Sequence, residues 1–505
     1  MIIRILISFF CLALFSCQKD PEPAFIGFEL EIKDEEPFGN IMWFEIHSHN
    51  RIPDSDLQFF IEEQEVIPQK LATGEWEVNI VDFDPGVLSL KVCLRSNKKN
   101  IRQTNFKKAE YLLDLMVDES FLSNETKHFV ILWDQNGNQF YNNEIKASGS
   151  HKVPLGNTLL RKISIGIFTK VEDFGQGLGQ IFTQVPIGKT WPLKVQEALR
   201  NEFGTANLLL RNIPQHDEYW ISSKGSFSHG QMLKNNHPVF LDFIPSRFFV
   251  KLHQDSKIFG KFFPQESKFA GQTLEIDLGE LQELEPLQLN FNKSVIGSYS
   301  IYGFENPQNL CTQYPLAIGG LQDQIKIGIS DYSAFFPFVE FQLNYQQEDA
   351  LVFSRFRGED FPSFFTVYES GISLEEVGEG KFNLDIRGEI DLLFSTWKGH
   401  DEFGVNWFVF VVQSPEENLL AAPLLANNTL SIKNLELNSL IIENSDFLED
   451  YTEFLEFFSL GISKDYDRKA RIFHSKMMPF SNFGLNIEFN KEEINRYLLF
   501  NNYHL

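Results

Sequence analysis

The sequence predicts an all-β, mainly antiparallel protein built from several β-sandwich-like domains in tandem, with a few peripheral helices. Apolar and polar residues alternate with a period of two along much of the chain, which is typical of strands with one buried face. Turn sequences such as Asp84-Pro85-Gly86 separate these runs. The chain has 505 residues, of which 43% are hydrophobic, so it is long enough for several domains and apolar enough for several cores.

The first predicted domain is an Ig-like sandwich over residues 26–98. Its end shows the pattern most clearly, because an alternating run from Trp76 to Ile80 is followed by a Pro-Gly turn and a second alternating run from Leu88 to Leu94. The polar stretch after residue 95 then ends the domain. This order of strand, turn and strand is shared by many extracellular sandwich modules.

Three further domains are predicted behind this sandwich. They are a β-rich domain over 100–240 with one helix at Pro192–Glu202, a small β domain over 241–300, and a β-rich C-terminal domain over 315–505 with helices near 447–458 and 491–499. The hairpin signal Asp134-Gln135-Asn136-Gly137-Asn138 lies in the first of these three domains. The run Trp407 to Val412 is apolar throughout, which suits a strand buried on both faces.

The N-terminus has the pattern of an export signal. Arg4 precedes an apolar run from Ile5 to Phe15, which is too short to span a bilayer and long enough for a signal peptide. Ser16 and Cys17 follow directly. This arrangement resembles a bacterial lipoprotein signal and implies that residues 1–16 are removed and that Cys17 is acylated, with 17–25 as a tether.

The residues after Cys17 resemble the surface-export signal of Bacteroidota lipoproteins. The match consists of Lys19, Asp20 and Glu22, with Pro21 interrupting the acidic pair. The resemblance implies a lipid-anchored protein of the outer membrane that faces the cell exterior. The alternative is a lipoprotein facing the periplasm, in which these residues serve as a solvated tether.

Charge and cysteine content exclude some partners. The formal charge of −25 argues against nucleic acid, which requires a basic footprint, so the expected membrane partner is the lipid on Cys17 alone. Cys93 and Cys311 remain after the signal. They are 218 residues apart, suggest no disulfide framework, and are expected to be unpaired.

Four histidines are weak candidates for metal ligation. His47 and His49 are two residues apart in a predicted strand and would share one face. His216 and His400 each begin a His-Asp-Glu tripeptide. All four are more simply interpreted as polar residues of strand ends and turns, so no metal and no cofactor are predicted. The segment Asp134–Asn138 lacks the ligand pattern of a calcium loop and is interpreted as a hairpin turn.

The function predicted from these features is binding or adhesion without catalysis, toward a glycan or a protein. No nucleophile elbow, phosphate loop or zinc-protease motif is present in the sequence, and no catalytic residue is assigned. Two clusters of phenylalanine flank prolines and are interpreted mainly as core, with stacking on a sugar as the alternative. They are Phe335, Phe336 and Phe338, and Phe361, Phe364 and Phe365. The other candidate functions are a glycoside or peptide hydrolase and a structural accessory of an outer-membrane uptake or secretion complex.

Overall fold

A computed structural model describes residues 28–32, 37–48, 52–98, 101–123, 125–171, 175–194, 204–223, 226–241, 248–263, 273–305, 313–321, 324–328, 336–360, 364–378, 381–417, 419–421, 430–459 and 470–480. These residues belong to two compact units. The first draws on Met1–Met116, Ser150–Ile163 and Val185–Trp191, and the second on Val117–Gly149, Ser164–Gln184 and Pro192–Leu505. About 65% of the structure is strand and 5% is helix, which confirms the predicted all-β class with several antiparallel sheets.

In chain order the strands are β1 (Phe28–Glu31), β2 (Ile41–Ser48), β3 (Leu57–Ile61), β4 (Gln64–Val66), β5 (Gln69–Lys70), β6 (Trp76–Asn79), β7 (Gly86–Leu94), β8 (Ile101–Lys108), β9 (Tyr111–Val117), β10 (Thr126–Trp133), β11 (Gln139–Ile145), β12 (Gly149–Pro154), β13 (Lys162–Val171), β14 (Gln176–Pro186), β15 (Lys189–Leu193), β16 (Gly204–Arg211), β17 (Glu218–Ser223), β18 (Ser226–Gly230) and β19 (Asn236–Leu241). They continue with β20 (Phe248–Gln254), β21 (Lys257–Phe263), β22 (Thr273–Asp277), β23 (Gln282–Glu283), β24 (Pro286–Phe291), β25 (Ile296–Phe304), β26 (Gln313–Gly320), β27 (Gln324–Gly328), β28 (Phe338–Gln347), β29 (Ala350–Gly358), β30 (Phe364–Phe365), β31 (Gly371–Gly378), β32 (Lys381–Arg387), β33 (Leu392–His400), β34 (Asn406–Gln413), β35 (Leu419–Ala421), β36 (Lys433–Ser445) and β37 (Ile472–Pro479). One α-helix, α1 (Tyr451–Ser459), and short 3₁₀ helices at Asp54–Asp56, Glu119–Phe121 and Leu278–Glu280 are also described.

The first unit contains an eight-stranded sandwich. One sheet has the order β1-β2-β6-β5 and the other β4-β3-β7-β8. The sequence predicts an Ig-like sandwich over residues 26–98, and the strands of these two sheets lie between residues 28 and 108. The last strand, β8, lies wholly beyond residue 98 and pairs with β7 from Gly86↔Lys108 to Cys93↔Ile101. The two sheets enclose one aromatic and aliphatic core that includes Phe44, Phe59 and Trp76.

The second unit is organised around a 12-stranded sheet. Its order is β11-β10-β13-β14-β34-β33-β36-β37-β29-β28-β25-β26. This sheet contains strands from all three predicted domains that follow the sandwich, at 100–240, 241–300 and 315–505. The predicted domain boundaries therefore lie within one continuous sheet. The predicted hairpin at Asp134 joins β10 to β11, and the carboxylate of Asp134 accepts hydrogen bonds from the backbone of Asn136 and Asn138.

Glycines allow aromatic rings to pack flat against the middle of this sheet. Gly177 and Gly179 lie in β14, and a Cβ at either position would collide with the ring of Trp407 or Phe168. Closely spaced glycines suit a loop or bulge, yet the structure places both residues in a strand. The reason is tertiary, because large neighbouring rings fill the space that the missing side chains leave.

Four smaller sheets complete the second unit. Sheets β19-β16-β22 and β18-β17-β20-β21-β23 enclose a core that includes Leu208, Ile221 and Val250. Sheets β27-β24-β30 and β31-β32-β35 contribute to a large core, with residues such as Leu289, Phe365 and Leu384. The alternating run from Phe382 to Phe394 is divided between β32 and β33, which lie in different sheets.

The predicted helices have different outcomes. Helix α1, at Tyr451–Ser459, overlaps the one predicted near 447–458, and the side chain of Asp450, directly before it, accepts from the Glu453 amide. Residues 192–193 end strand β15, while the remainder of the predicted helix at 192–202, from residue 195, and the whole of that at 491–499 lie outside the described residues. None of the helices in the described part of the chain has the length and the apolar character needed to cross a membrane.

Candidate functional site: an aromatic ledge on an edge strand

A cluster of three aromatic rings lies on the hairpin of β17 and β18. The register pairs Trp220 with His229 and Ser222 with Phe227. Because residues directly opposite each other in an antiparallel pair share one face, Trp220, Phe227 and His229 all project from the same side of the sheet. Strand β18 is an edge strand of its five-stranded sheet, so the cluster lies at a sheet edge.

The three rings are nearly parallel. The Phe227 ring lies 4.7 Å from that of Trp220 at an interplanar angle of 6°, and the His229 ring lies 5.8 Å from Trp220 at 24°. Phe227 and His229 are 5.9 Å apart at 20°. Phe227 is 41% exposed and His229 is exposed, whereas Trp220 is 7% exposed. We call these three residues the aromatic ledge.

Trp220 anchors the ledge to the body of the second unit. Its Nε1 donates a hydrogen bond to the carbonyl oxygen of Pro315 (3.3 Å), at the start of β26. On the neighbouring strand β20, Lys251 is paired with Trp220. Its Nζ lies 5.3 Å from the Trp220 ring centroid and donates to the carbonyl oxygen of Leu316 (3.4 Å). Burial of this amine lowers the pKa of Lys251 to about 8, although Glu218 acts in the other direction.

The reverse face of β18 is also held in place. Ser228 points away from the ledge, and its hydroxyl lies 3.0 Å from Nε2 of His237. The His237 ring packs edge-on against Tyr219 at 5.4 Å, and burial lowers the pKa of His237. The strand that carries Phe227 and His229 is therefore fixed by contacts on both faces.

This arrangement suits stacking recognition. Flat rings that remain partly open to solvent can pack against the apolar face of a sugar ring or against another aromatic group. The imidazole of His229 adds ring nitrogens that can donate or accept a hydrogen bond at the margin of such a contact. Because Trp220 is already ordered, little conformational freedom is lost on binding.

The ledge was not predicted from the sequence, although a signal was present. Phe227 and His229 alternate with the small residues Ser226, Ser228 and Gly230, and the dipeptide Lys224-Gly225 separates this run from the one that holds Trp220. A two-residue connection containing glycine is a hairpin signal. Pairing the strands across it would have placed Trp220 opposite His229.

The predicted metal candidates on strand β2 are not brought into a ligand set. His47 is half-exposed and its Nε2 lies 2.9 Å from Glu31 Oε2 and 3.2 Å from Glu45 Oε2, which is an ion-pair arrangement when the imidazole is protonated. His49 lies outside the described residues. Among the residues that the structure describes, no group of three or more His, Cys, Asp or Glu side chains could hold a metal ion.

His216 and His400 have structural contacts. His216 Nδ1 donates to the carbonyl oxygen of Pro214 (2.8 Å), and its Nε2 accepts from the Leu233 amide (3.4 Å), so this ring links two loop segments. His400 is exposed and lies 3.4 Å from the Asn434 side chain. The interpretation of both tripeptides as parts of turns agrees with these contacts.

Several of the remaining predicted residues lie in parts of the chain that the structure does not describe. Cys17, Lys19, Asp20 and Glu22 lie outside the described residues, as do Cys311, Phe335 and Phe361. Cys93 is a buried free thiol in β7. Of the described phenylalanines in the two predicted clusters, Phe336 and Phe365 are buried in the core, Phe338 is half-buried and Phe364 is 57% exposed.

Comparisons with known proteins found only distant structural neighbours. The Bacillus anthracis TIE protein is similar over 66% of this chain and 71% of its own, at 11% identity and a TM-score of 0.14. SGBP-B of the Bacteroides ovatus mixed-linkage glucan utilization locus, in complex with a mixed-linkage heptasaccharide, covers 55% of this chain and 84% of its own, at 12% identity and a TM-score of 0.10. These TM-scores are too low to support an inference about function. No family model and no curated protein sequence matches the chain.

Proposed function

We propose that the protein is a non-enzymatic glycan-binding lipoprotein of the outer membrane, anchored by lipid on Cys17 and displayed on the cell surface. The observation that carries the binding part of this proposal is the aromatic ledge. Three nearly parallel rings on one sheet face, with two of them open to solvent, match the stacking surface that an uncharged pyranose ring requires.

The construction of the ledge supports a binding role over a purely structural one. Trp220 belongs to a large core of the second unit, so its packing there is sufficient reason for a tryptophan at this position. Phe227 covers one face of Trp220, yet 41% of its own surface remains in water, so it gains less from burial than Trp220 does. A ligand that covers Phe227 and His229 would supply the missing burial.

The cellular location in this proposal depends on the N-terminal sequence. Cys17 follows a signal-like apolar run, and Lys19, Asp20 and Glu22 follow Cys17 in the pattern of a surface-export tether. Two measurements test it separately from binding. Replacing Cys17 with alanine should release the protein from the membrane fraction, and external protease should digest the protein on intact cells.

Affinity electrophoresis of the mature full chain in gels that contain neutral polysaccharides tests the binding part. A panel of cellulose derivatives, mixed-linkage glucan, xylan and mannan is the probe. The wild type should be retarded by at least one of them. Replacing both Phe227 and His229 with alanine should reduce the affinity roughly tenfold or more, since each lost stacking contact contributes about 0.5–1.5 kcal/mol.

The matched control is Phe140→Ala. Phe140 is 38% exposed and lies on β11, the first strand of its own sheet, so it resembles Phe227 in exposure and position. This control should keep the wild-type retardation. Equal losses in the two variants, or no retardation by any neutral glycan, would remove the ledge as the binding surface.

A further inference from the structure

A second exposed aromatic ring lies on the short strand β30. The order of its sheet is β27-β24-β30, so β30 is an edge strand. Phe364, the first residue of β30, is 57% exposed. Stacking on a sugar is the alternative that the sequence leaves open for this phenylalanine, and its ring is accessible for such a contact.

The residue after Phe364 fixes the direction of this ring. Phe365 is 1% exposed and is stacked on Phe291, with ring centroids 5.6 Å apart and an interplanar angle of 25°. Successive side chains of a strand point to opposite faces, so the buried Phe365 directs Phe364 away from the core. Asn292 holds the strand in place, because its amide donates to the carbonyl oxygen of Phe365 (3.2 Å) and its Oδ1 accepts from the Val367 amide (2.9 Å).

Two amide side chains share the outer face with Phe364. In the parallel pairing of β24 with β30, Asn290 is opposite Phe364 and Phe291 is opposite Phe365. Asn290 therefore lies on the outer face, and so does Gln288, two residues earlier on the same strand. Gln288 is exposed, and its Nε2 donates to Asn290 Oδ1 (3.2 Å). This bond uses one of the two Nε2 hydrogens and does not involve Gln288 Oε1, so Gln288 can also donate to a ligand and accept from it.

The charged residues that follow the two strands favour an uncharged ligand. Lys293 is the first charged residue after β24, Glu369 is the first after β30, and the two form an ion pair. Neither of them presents an uncompensated charge that would select an ionic ligand. A flat aromatic ring beside neutral amides instead matches a ligand with an apolar face and a rim of hydroxyl groups, and a pyranose has both.

We propose that Phe364, Gln288 and Asn290 form a second glycan-binding site, on a different sheet from the aromatic ledge, for a neutral pyranose. The ring of Phe364 stacks on the apolar face of one sugar unit. The two amides hydrogen-bond to the hydroxyl groups of that unit. Because this site has one ring where the ledge has three, it binds more weakly than the ledge does.

Affinity electrophoresis of the mature full chain tests the proposal, in gels that contain cellulose derivatives, mixed-linkage glucan, xylan or mannan. The background is the variant with Phe227→Ala and His229→Ala, which lacks the ledge. We expect at least one polymer still to retard this variant. Adding Phe364→Ala should lower the remaining affinity roughly threefold or more, since one stacking contact is lost.

Two further substitutions and a control separate stacking from a general loss of apolar surface. In the same background, Phe364→Tyr keeps a flat ring and should keep the affinity, whereas Phe364→Leu is apolar without being flat and should lower it as alanine does. Phe403→Ala is the matched control. Phe403 is 78% exposed on the turn between β33 and β34, and a lysine, Lys170, lies 5.4 Å from its ring centroid. This control should keep the affinity of the background.

The outcomes distinguish this site from the ledge. Equal affinities of Phe364→Leu and Phe364→Tyr, equal losses in Phe364→Ala and Phe403→Ala, or no retardation of the background variant would overturn the second site. Retardation of the wild type that is lost with Phe227 and His229 alone leaves the ledge as the binding surface. Retardation that is lost with Phe364 alone overturns the ledge and supports the second site. Thermal melting of each variant excludes unfolding as the cause of a loss.

Discussion

The tripeptide His-Asp-Glu occurs twice in this chain, and its two copies differ in almost every contact. In the first copy, Asp217 is exposed and accepts one hydrogen bond, from the Asp255 amide at 2.6 Å. In the second, Asp401 is 4% exposed and accepts three. The aromatic residues that follow are buried in the first copy and 78% exposed in the second, at Phe403.

The difference shows that strand context decides the role of a short motif. The first tripeptide leads into β17, so the residues after it alternate between two covered sheet faces and Trp220 becomes the base of the ledge. The second follows β33 and must reverse the chain within a few residues, so its aspartate bonds to the turn backbone and the next side chain points to solvent. Each copy thus supports a different exposed aromatic surface.

The largest expected effect is that of Trp220→Ala. Removing a buried tryptophan that also donates a hydrogen bond to Pro315 should lower the free energy of unfolding by roughly 3–5 kcal/mol. Urea denaturation followed by circular dichroism measures it. A loss below about 1 kcal/mol would mean that the ledge is not anchored as described.

The paired variants Asp401→Ala and Asp217→Ala compare the two tripeptides directly. Asp401→Ala leaves the buried Trp407 Nε1 without this acceptor and frees two turn amides, so it should cost about 2–3 kcal/mol. Asp217→Ala removes one bond at an exposed position and should cost no more than about 1 kcal/mol. Equal losses in urea denaturation would contradict the contrast.

Lysine 251 makes the stability of the ledge region depend on pH. Its folded-state pKa of about 8 is below the value of 10.5 that is usual for lysine, so the folded protein binds fewer protons between these values and gains stability as the pH rises through them. Wild type should therefore gain on the order of 1 kcal/mol relative to Lys251→Met between pH 7 and pH 9. Urea midpoints at both pH values measure it, and a pH-independent difference would show that Lys251 is not desolvated.

The smallest effects are expected from the exposed rings. Phe403→Ala should change the free energy of unfolding by no more than about 0.5 kcal/mol, because Phe403 is 78% exposed and most of what is removed is surface already in contact with water. Phe227→Ala should cost about 1 kcal/mol, because Phe227 is only 41% exposed and stacks on Trp220. Affinity for neutral glycans should fall in Phe227→Ala and keep the wild-type value in Phe403→Ala. A large stability loss in either variant would assign that ring to the core.

Local features of the fold were predictable. Alternation and turn chemistry located the Ig-like sandwich, the hairpin at Asp134 and helix α1, because each depends on residues close in sequence. The partner of each strand was not predictable. Period-two alternation in Phe382–Phe394 shows that residues face one way, and it does not show that β32 and β33 join different sheets.

The candidate sites were less accessible to sequence reasoning. Trp220, Phe227 and His229 are ordinary strand residues until the register of one hairpin brings them together. Phe403 stood out only as the neighbour of a tripeptide considered for metal binding. Spatial juxtaposition across strands carries the proposed binding surface, and the sequence indicates it only through the two-residue connection Lys224-Gly225.

The parallel pairing of β14 with β34 has a consequence for how this protein is made. Gln176 and Asn406, which lie opposite each other, are about 230 residues apart in the chain. The conformational entropy lost on closing a loop of this length is only modestly larger than for a short loop. Contacts between residues far apart in sequence nevertheless slow folding. Until β34 has been synthesised, Gly177 and Gly179 have no Trp407 ring beside them, and one side of β14 is an open strand edge that can aggregate. Fragments that end before residue 406 are therefore expected to be aggregation-prone, and production of the second unit should include both strands.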